Sequence, residues 1–150
     1  MKYYLKKDIR RDSILLNHLC MPDEPKNKSI LVVEDETPLL TALQKKLVLS
    51  GFDVVTARSA KQALNALKDV GGVDLIWLDH LLLEDETGLD FLKVIKKDDK
   101  FKNIPVYIVS VTADQETVDE YIRLGAKKHY PKHEFSISDI INDIKAQNNL

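Results

Sequence analysis

Four stretches of this 150-residue chain carry side chains that could do chemistry if brought together. Glu34-Asp35-Glu36 ends the apolar run Ile30-Leu31-Val32-Val33, and Asp79 ends Leu75-Ile76-Trp77-Leu78. Ser110 follows Val106-Tyr107-Ile108-Val109, and Lys132 follows Tyr130-Pro131. Carboxylates suit a hard cation, and Mg²⁺ takes one or two of them while sharing the rest of its shell with phosphate and water. Lysine supplies a point charge for phosphate, and serine a hydroxyl donor. A carboxylate nucleophile, a metal, a lysine and a hydroxyl are sufficient parts for phosphoryl transfer, where positioning and charge neutralisation dominate. Taken singly, each residue has an ordinary role. The acidic pair could be a solvated turn, Asp79 a cap, Ser110 a backbone partner and Lys132 one surface lysine among many.

The elements around these residues decide whether they meet. Short apolar runs that stop at acids read as buried parallel strands. Strand one is Ile30–Val33, strand two Asp53–Ala57, strand three Leu75–Leu78, strand four Val106–Val109 after Pro105, and strand five Lys128–Tyr130. Between them lie helical patterns. Thr37-Pro38 reads as a cap followed by a first-turn proline, with Leu39, Leu40, Leu43 and Leu47 behind it and Gly51 as the stop. Ser59 caps a helix with Ala60, Ala63, Leu64 and Leu67 that ends at Gly71-Gly72. A third helix carries Leu89, Leu92 and Ile95, and a fourth runs from about Asp114 to Leu124. Ser136 with Asp139 is a capping-box variant ahead of Ile137, Ile140, Ile141 and Ile144. Five strand–helix alternations require a parallel sheet with helices on both faces, and such sheets bind ligands outside the carboxyl ends of their strands. Glu34, Asp35, Asp79, Ser110 and Lys132 all fall at that edge.

Composition narrows the class. Hydrophobic residues at 44% and charged residues at 31% describe an ordinary globular protein, and a net charge of −2 makes no case for direct nucleic-acid contact. Residues 1–28 hold seven Lys/Arg against four Asp/Glu, so a mildly basic arm precedes a mildly acidic domain. That arm reads as an extension and linker, with a candidate amphipathic helix over 3–20 (Leu5, Ile9, Leu16, Leu19) that would serve docking or a homodimer. The domain proper is read as 29–150. Cys20 is the only cysteine, so no internal disulfide forms. No apolar run approaches the ~20 residues that span a bilayer, and no signal peptide is read, so the expected location is the cytoplasm.

Taken together, Ile30-Leu-Val-Val-Glu-Asp-Glu36, Asp74-Leu-Ile-Trp-Leu-Asp79, Ile104-Pro-Val-Tyr-Ile-Val-Ser110, Gly125-Ala126 and Tyr130-Pro-Lys132 resemble the receiver domain of two-component response regulators, over about residues 29–147. The resemblance implies a doubly wound, flavodoxin-like (β/α)5 sheet with strand order 2-1-3-4-5. It implies that Asp79 is the phospho-acceptor, that Glu34, Asp35, Asp79 and the backbone carbonyl of Leu81 bind Mg²⁺, that Ser110 is the hydroxyl switch, and that Lys132 binds phosphate. Backbone N–H groups of Leu81 and Val111 would face the phosphoryl oxygens. The implied partners are a sensor histidine kinase or phosphotransfer protein, and a downstream protein on the face of helix four, strand five and helix five. The domain would be a signalling switch that catalyses only its own phosphorylation and dephosphorylation. Only Ala146 to Leu150 follow the fifth helix, so no DNA-binding output domain is expected.

The chain departs from the family pattern in three places. Asp79 to Gly88 is one residue longer than usual, lacks proline and carries Glu84, Asp85 and Glu86. It reads as surface variation, the alternative being that its charge redirects phosphodonor access. His129 occupies the place of the family's rotating aromatic. Tyr130 beside it faces the other way in a strand and cannot substitute. His133 stands where the family has a proline after the lysine. A pseudo-receiver that docks proteins without phosphorylation is the alternative reading. A haloacid-dehalogenase-type phosphatase would need a second Asp where Leu81 stands. A flavodoxin-like cofactor binder would need a phosphate-cradling loop where Glu34-Asp35-Glu36 stands.

Overall fold

The computed structural model describes residues 27–111 and 113–150. The helix expected over 3–20 lies outside the described residues. The chain runs β1 (Lys28–Val33), α1 (Thr37–Leu49), β2 (Phe52–Ala57), α2 (Ala60–Val70), β3 (Leu75–Leu78), α3 (Gly88–Lys97), β4 (Val106–Ser110), α4 (Gln115–Arg123), β5 (Lys128–Pro131) and α5 (Ile137–Gln147). All strands are parallel, in the order β2-β1-β3-β4-β5.

Helices cover both faces, which is why the central strands are apolar at every position. Leu31, Val33, Ile76, Leu78, Val106 and Ile108 pack toward α2, α3 and α4. Ile30, Val32, Leu75, Trp77, Tyr107 and Val109 pack toward α1 and α5. Neighbouring residues of a strand therefore serve opposite cores, as the two-residue pleat requires.

Most helix signals hold. Ser59 accepts from Gln62 N and Gly71 closes α2 at φ 60°. Ser136 and Asp139 form a full capping box on α5, and Asp114 caps α4 through Thr117 N. One differs. Thr37 was expected to cap α1, but the cap is Glu36, with no side-chain cap bond, and Thr37 is already helical. Glu34 Oε1 accepts from Glu36 N at 3.3 Å, so the acidic turn shapes the helix entry in place of a hydroxyl. The first strand also starts at Lys28, inside the segment read as linker. Lys28 pairs with Phe52 in the ladder, and Asp74 holds both Lys28 Nζ and Ser29 N.

Candidate functional site

Parallel registry levels the carboxyl ends of the strands. Val33 pairs with Leu78, Leu78 with Ile108, and Ser110 with Pro131. Glu34, Asp79 and Lys132, each just past a strand, and Ser110, the last residue of β4, arrive at one edge. Asp79 N donates to Val33 O at 2.9 Å and Lys132 N to Ser110 O at 2.9 Å, so backbone bonds continue one step beyond the strands.

The side chains converge there. Lys132 Nζ lies 2.6 Å from Asp79 Oδ2 and 2.7 Å from Glu34 Oε2. Glu34 is wholly buried and Asp79 nearly so. One carboxylate oxygen from each of Glu34, Asp35 and Asp79 lies within 4.8 Å of the other two. Arg58 reaches across from β2 and donates Nε and Nη2 to Asp35 O at 3.1 and 2.9 Å, fixing that backbone. The other Asp79 oxygen accepts from His80 N at 2.6 Å.

The charges explain this arrangement. Burial pushes the Glu34 carboxyl up to about 7, with the nearby Asp79 charge adding to it and the Lys132 hydrogen bond opposing it. Burial alone would depress Lys132, but its bonds to Asp79 and Glu34 outweigh that and hold it above its usual value. Three acids around one ammonium leave uncompensated negative charge at this edge, and a hard divalent cation is the natural complement to an all-oxygen donor set. The residues fit Mg²⁺.

Ser110 is buried beside this cluster, and its Oγ lies 3.0 Å from His129 Nε2. Burial holds His129 below the usual imidazole value. Tyr130 is fully buried on the opposite side of β5, where its hydroxyl donates to Asp143 at 2.6 Å. The strand alternation that separates Tyr130 from the hydroxyl is thus observed.

The longer loop after Asp79 is more than surface variation. Leu82 is buried, Leu83 N donates to Arg58 O, and Glu86 Oε2 accepts from Ala60 N at 2.8 Å at the start of α2. Glu84 and Asp85 turn the chain with φ of 67° and 55° and stay exposed. Leu81 is half exposed and pairs with Thr87 in an isolated bridge. Thr87 and Asp90 then form a capping box that the sequence reading missed, although Thr-x-x-Asp is its signature. The reading also missed His80, whose ring Nδ1 lies 2.9 Å from Tyr121 Oη. No local spacing links residues 41 positions apart.

Fold and acidic edge together define a receiver-type signalling domain. The response regulator receiver domain family matches residues 30–145, and the chain belongs to that family. It is 33% identical over 119 residues to the phosphate regulon transcriptional regulatory protein PhoB of Klebsiella pneumoniae, covering 79% of this chain and 51% of the relative. It is 29% identical to the polar-differentiation response regulator DivK of Brucella anthropi, covering 79% of this chain and 94% of that one. The chain thus spans about half the length of the PhoB relatives and nearly all of DivK. Among solved structures, the non-phosphorylated HemR receiver domain of Leptospira biflexa superposes with a TM-score of 0.72 at 27% identity, covering 83% of this chain and 96% of that one. A CheY-like receiver domain protein from Methanospirillum hungatei JF-1 shares the fold at a TM-score of 0.74 and 24% identity, with 82% and 94% covered.

Proposed function

We propose that this domain is a phosphorylation-dependent protein-interaction switch in which Asp79 accepts a phosphoryl group from a histidine of a partner kinase or phosphotransfer protein. The observation that supports this most is the Lys132 ammonium held by both Asp79 and Glu34, two buried carboxylates from different strands. A carboxylate oxygen of Asp79 attacks phosphorus, the new P–O bond forms as the donor's P–N bond breaks, and the imidazole leaves. Glu34, Asp35, Asp79 and the Leu81 carbonyl are the proposed holders of Mg²⁺, which when bound supplies charge neutralisation at the transferring oxygens. Lys132 then exchanges carboxylate for phosphoryl oxygen. Backbone N–H groups of Leu81 and Val111 donate to the same group. Ser110 leaves His129 and donates its hydroxyl to the phosphoryl, which brings about −1.5 to −2 charge and three strong acceptors.

The proposed readout surface is the face of α4, β5 and α5, and Ile122 of α4 is an exposed apolar side chain. The domain alters only its own modification state. Its proposed location is the cytoplasm. Residues 1–28 are proposed as an extension to the 29–150 receiver unit, although β1 already begins at Lys28.

Intact mass after incubation with Mg²⁺ and a small acyl phosphate tests this reading. One added phosphoryl group is expected, absent in Asp79→Asn and without Mg²⁺. Failure with both the small donor and a matched kinase would overturn the switch and leave a docking module that does not use phosphorylation. Deleting residues 1–28 and weighing the protein in solution tests whether the arm makes a homodimer.

A further inference from the structure

Tyr121 is the only fully buried side chain of α4, whose other residues are partly or wholly exposed. Its phenol reaches under the loop that follows Asp79. The hydroxyl lies 2.9 Å from His80 Nδ1, and the two rings meet edge-on at 82° with centroids 5.9 Å apart. A Cβ at Gly88 would fall 2.9 Å from that hydroxyl and 2.2 Å from Asp79 O, so the phenol fits only because residue 88 has no side chain.

His80 is bonded to the acceptor on its other side. Its backbone N–H donates to Asp79 Oδ1 at 2.6 Å, and its carbonyl accepts from Gly88 N at 2.7 Å. An unbroken chain of contacts then runs from an Asp79 carboxylate oxygen through one residue to the single buried anchor of α4.

We propose that the His80–Tyr121 hydrogen bond is a catch by which the acceptor loop holds α4, and that both are positioning residues coupling the state of Asp79 to that helix. This rests on the switch reading for its signal but not for the catch itself. When Asp79 Oδ1 exchanges the His80 N–H for phosphoryl surroundings, the His80 peptide shifts, and α4 is the element attached to it. This route does not pass through Ser110 or His129. It gives a physical element with two arrangements, which coupling between sites requires.

Hydrogen exchange on the full chain tests the catch. In the unmodified protein, Tyr121→Phe keeps the ring and loses the bond. Amides of α4 should then exchange about fivefold faster, the factor expected from one net hydrogen bond, while β1 and β3 match the parent. His80→Leu should do the same, and the double variant should add nothing to either single change. His80→Asn, which places an amide near the Nδ1 position, should restore most of the protection. After phosphorylation of the parent, α4 exchange should change. In Tyr121→Phe it should not, at equal phosphoryl uptake. Unchanged α4 protection in the unmodified variants, additive effects in the double variant, or an equal phosphorylation response in Tyr121→Phe would each overturn the proposal. If the parent takes up no phosphoryl group, the switch reading falls, and the catch stands or falls on the unmodified protein alone.

Discussion

Helices α4 and α5 flank β5 in sequence and each starts at a side-chain cap, Asp114 and Ser136, yet they are held in different ways. The last helix buries Ile140, Ile141 and Ile144 in one stripe against the sheet. Its Asp143 accepts from Lys128 Nζ at 2.7 Å and from Tyr130 Oη at 2.6 Å, which pulls that carboxyl below its usual value. The α4 helix buries Tyr121 alone, and that residue's partner belongs to the loop beside Asp79. A broad apolar stripe resists displacement because many small contacts must be lost at once. A single directional bond can be made or released by its partner. The last helix therefore serves as scaffold, and α4 is built to respond.

The largest expected effect comes from the scaffold side. Ile144→Ala removes a fully buried side chain and should destabilise the fold by about 2–5 kcal/mol in denaturant titration. A loss below about 1 kcal/mol would mean that α5 is no better anchored than α4. Next, Gly88→Ala forces a methyl onto Asp79 O and the Tyr121 hydroxyl. Overpacking of this kind costs roughly 1–3 kcal/mol. The variant should also lower phosphoryl uptake at Asp79 by intact mass, whereas Ile144→Ala, wherever it remains folded, should not.

The caps offer a control. Ser136→Ala on α5 and Asp114→Ala on α4 each remove one side-chain cap and should each cost about 1 kcal/mol by thermal unfolding. Equal values would place the asymmetry in side-chain burial. A clearly larger loss for either would place it in the helix ends.

The smallest effect concerns β5, between the two helices. Burial keeps the folded-state pKa of His129 below 6.5. Above 6.5 both states are neutral, and the contribution is fully present. As pH falls below 6.5 the unfolded chain takes the proton first, so stability is lost toward the folded-state value. Urea midpoints at pH 5.5 and 7.5 should differ more in the parent than in His129→Asn. An identical slope in the variant would remove His129 from the titration.

Much of this was legible in the chain order. The runs Ile30–Val33 and Leu75–Leu78 announced strands buried on both faces, because only a sheet covered by two helix layers tolerates apolar residues at successive positions. Their endings placed Glu34, Asp35 and Asp79 at one edge. The α1 cap was misassigned to Thr37 because the Glu34 carboxylate, not a hydroxyl, organises that turn. The loop after Asp79 reads from sequence as surface variation, with redirected phosphodonor access as the alternative. Its anchors, Arg58 O and the first N–H of α2, come from a segment more than twenty positions earlier.

By itself, the sequence determined the period of burial, the helix starts at Ser59, Asp114 and Ser136, and the residue types at the carboxyl edge, since these depend on neighbours a few positions apart. Only the tertiary structure decided which atoms meet. Lys132 divides itself between Glu34 and Asp79, Ser110 rests on His129, and Tyr121 holds His80. Each of these pairings joins residues at least 19 positions apart, and their separation is set by the parallel register of the strands and the packing of helices on them, which no local pattern encodes.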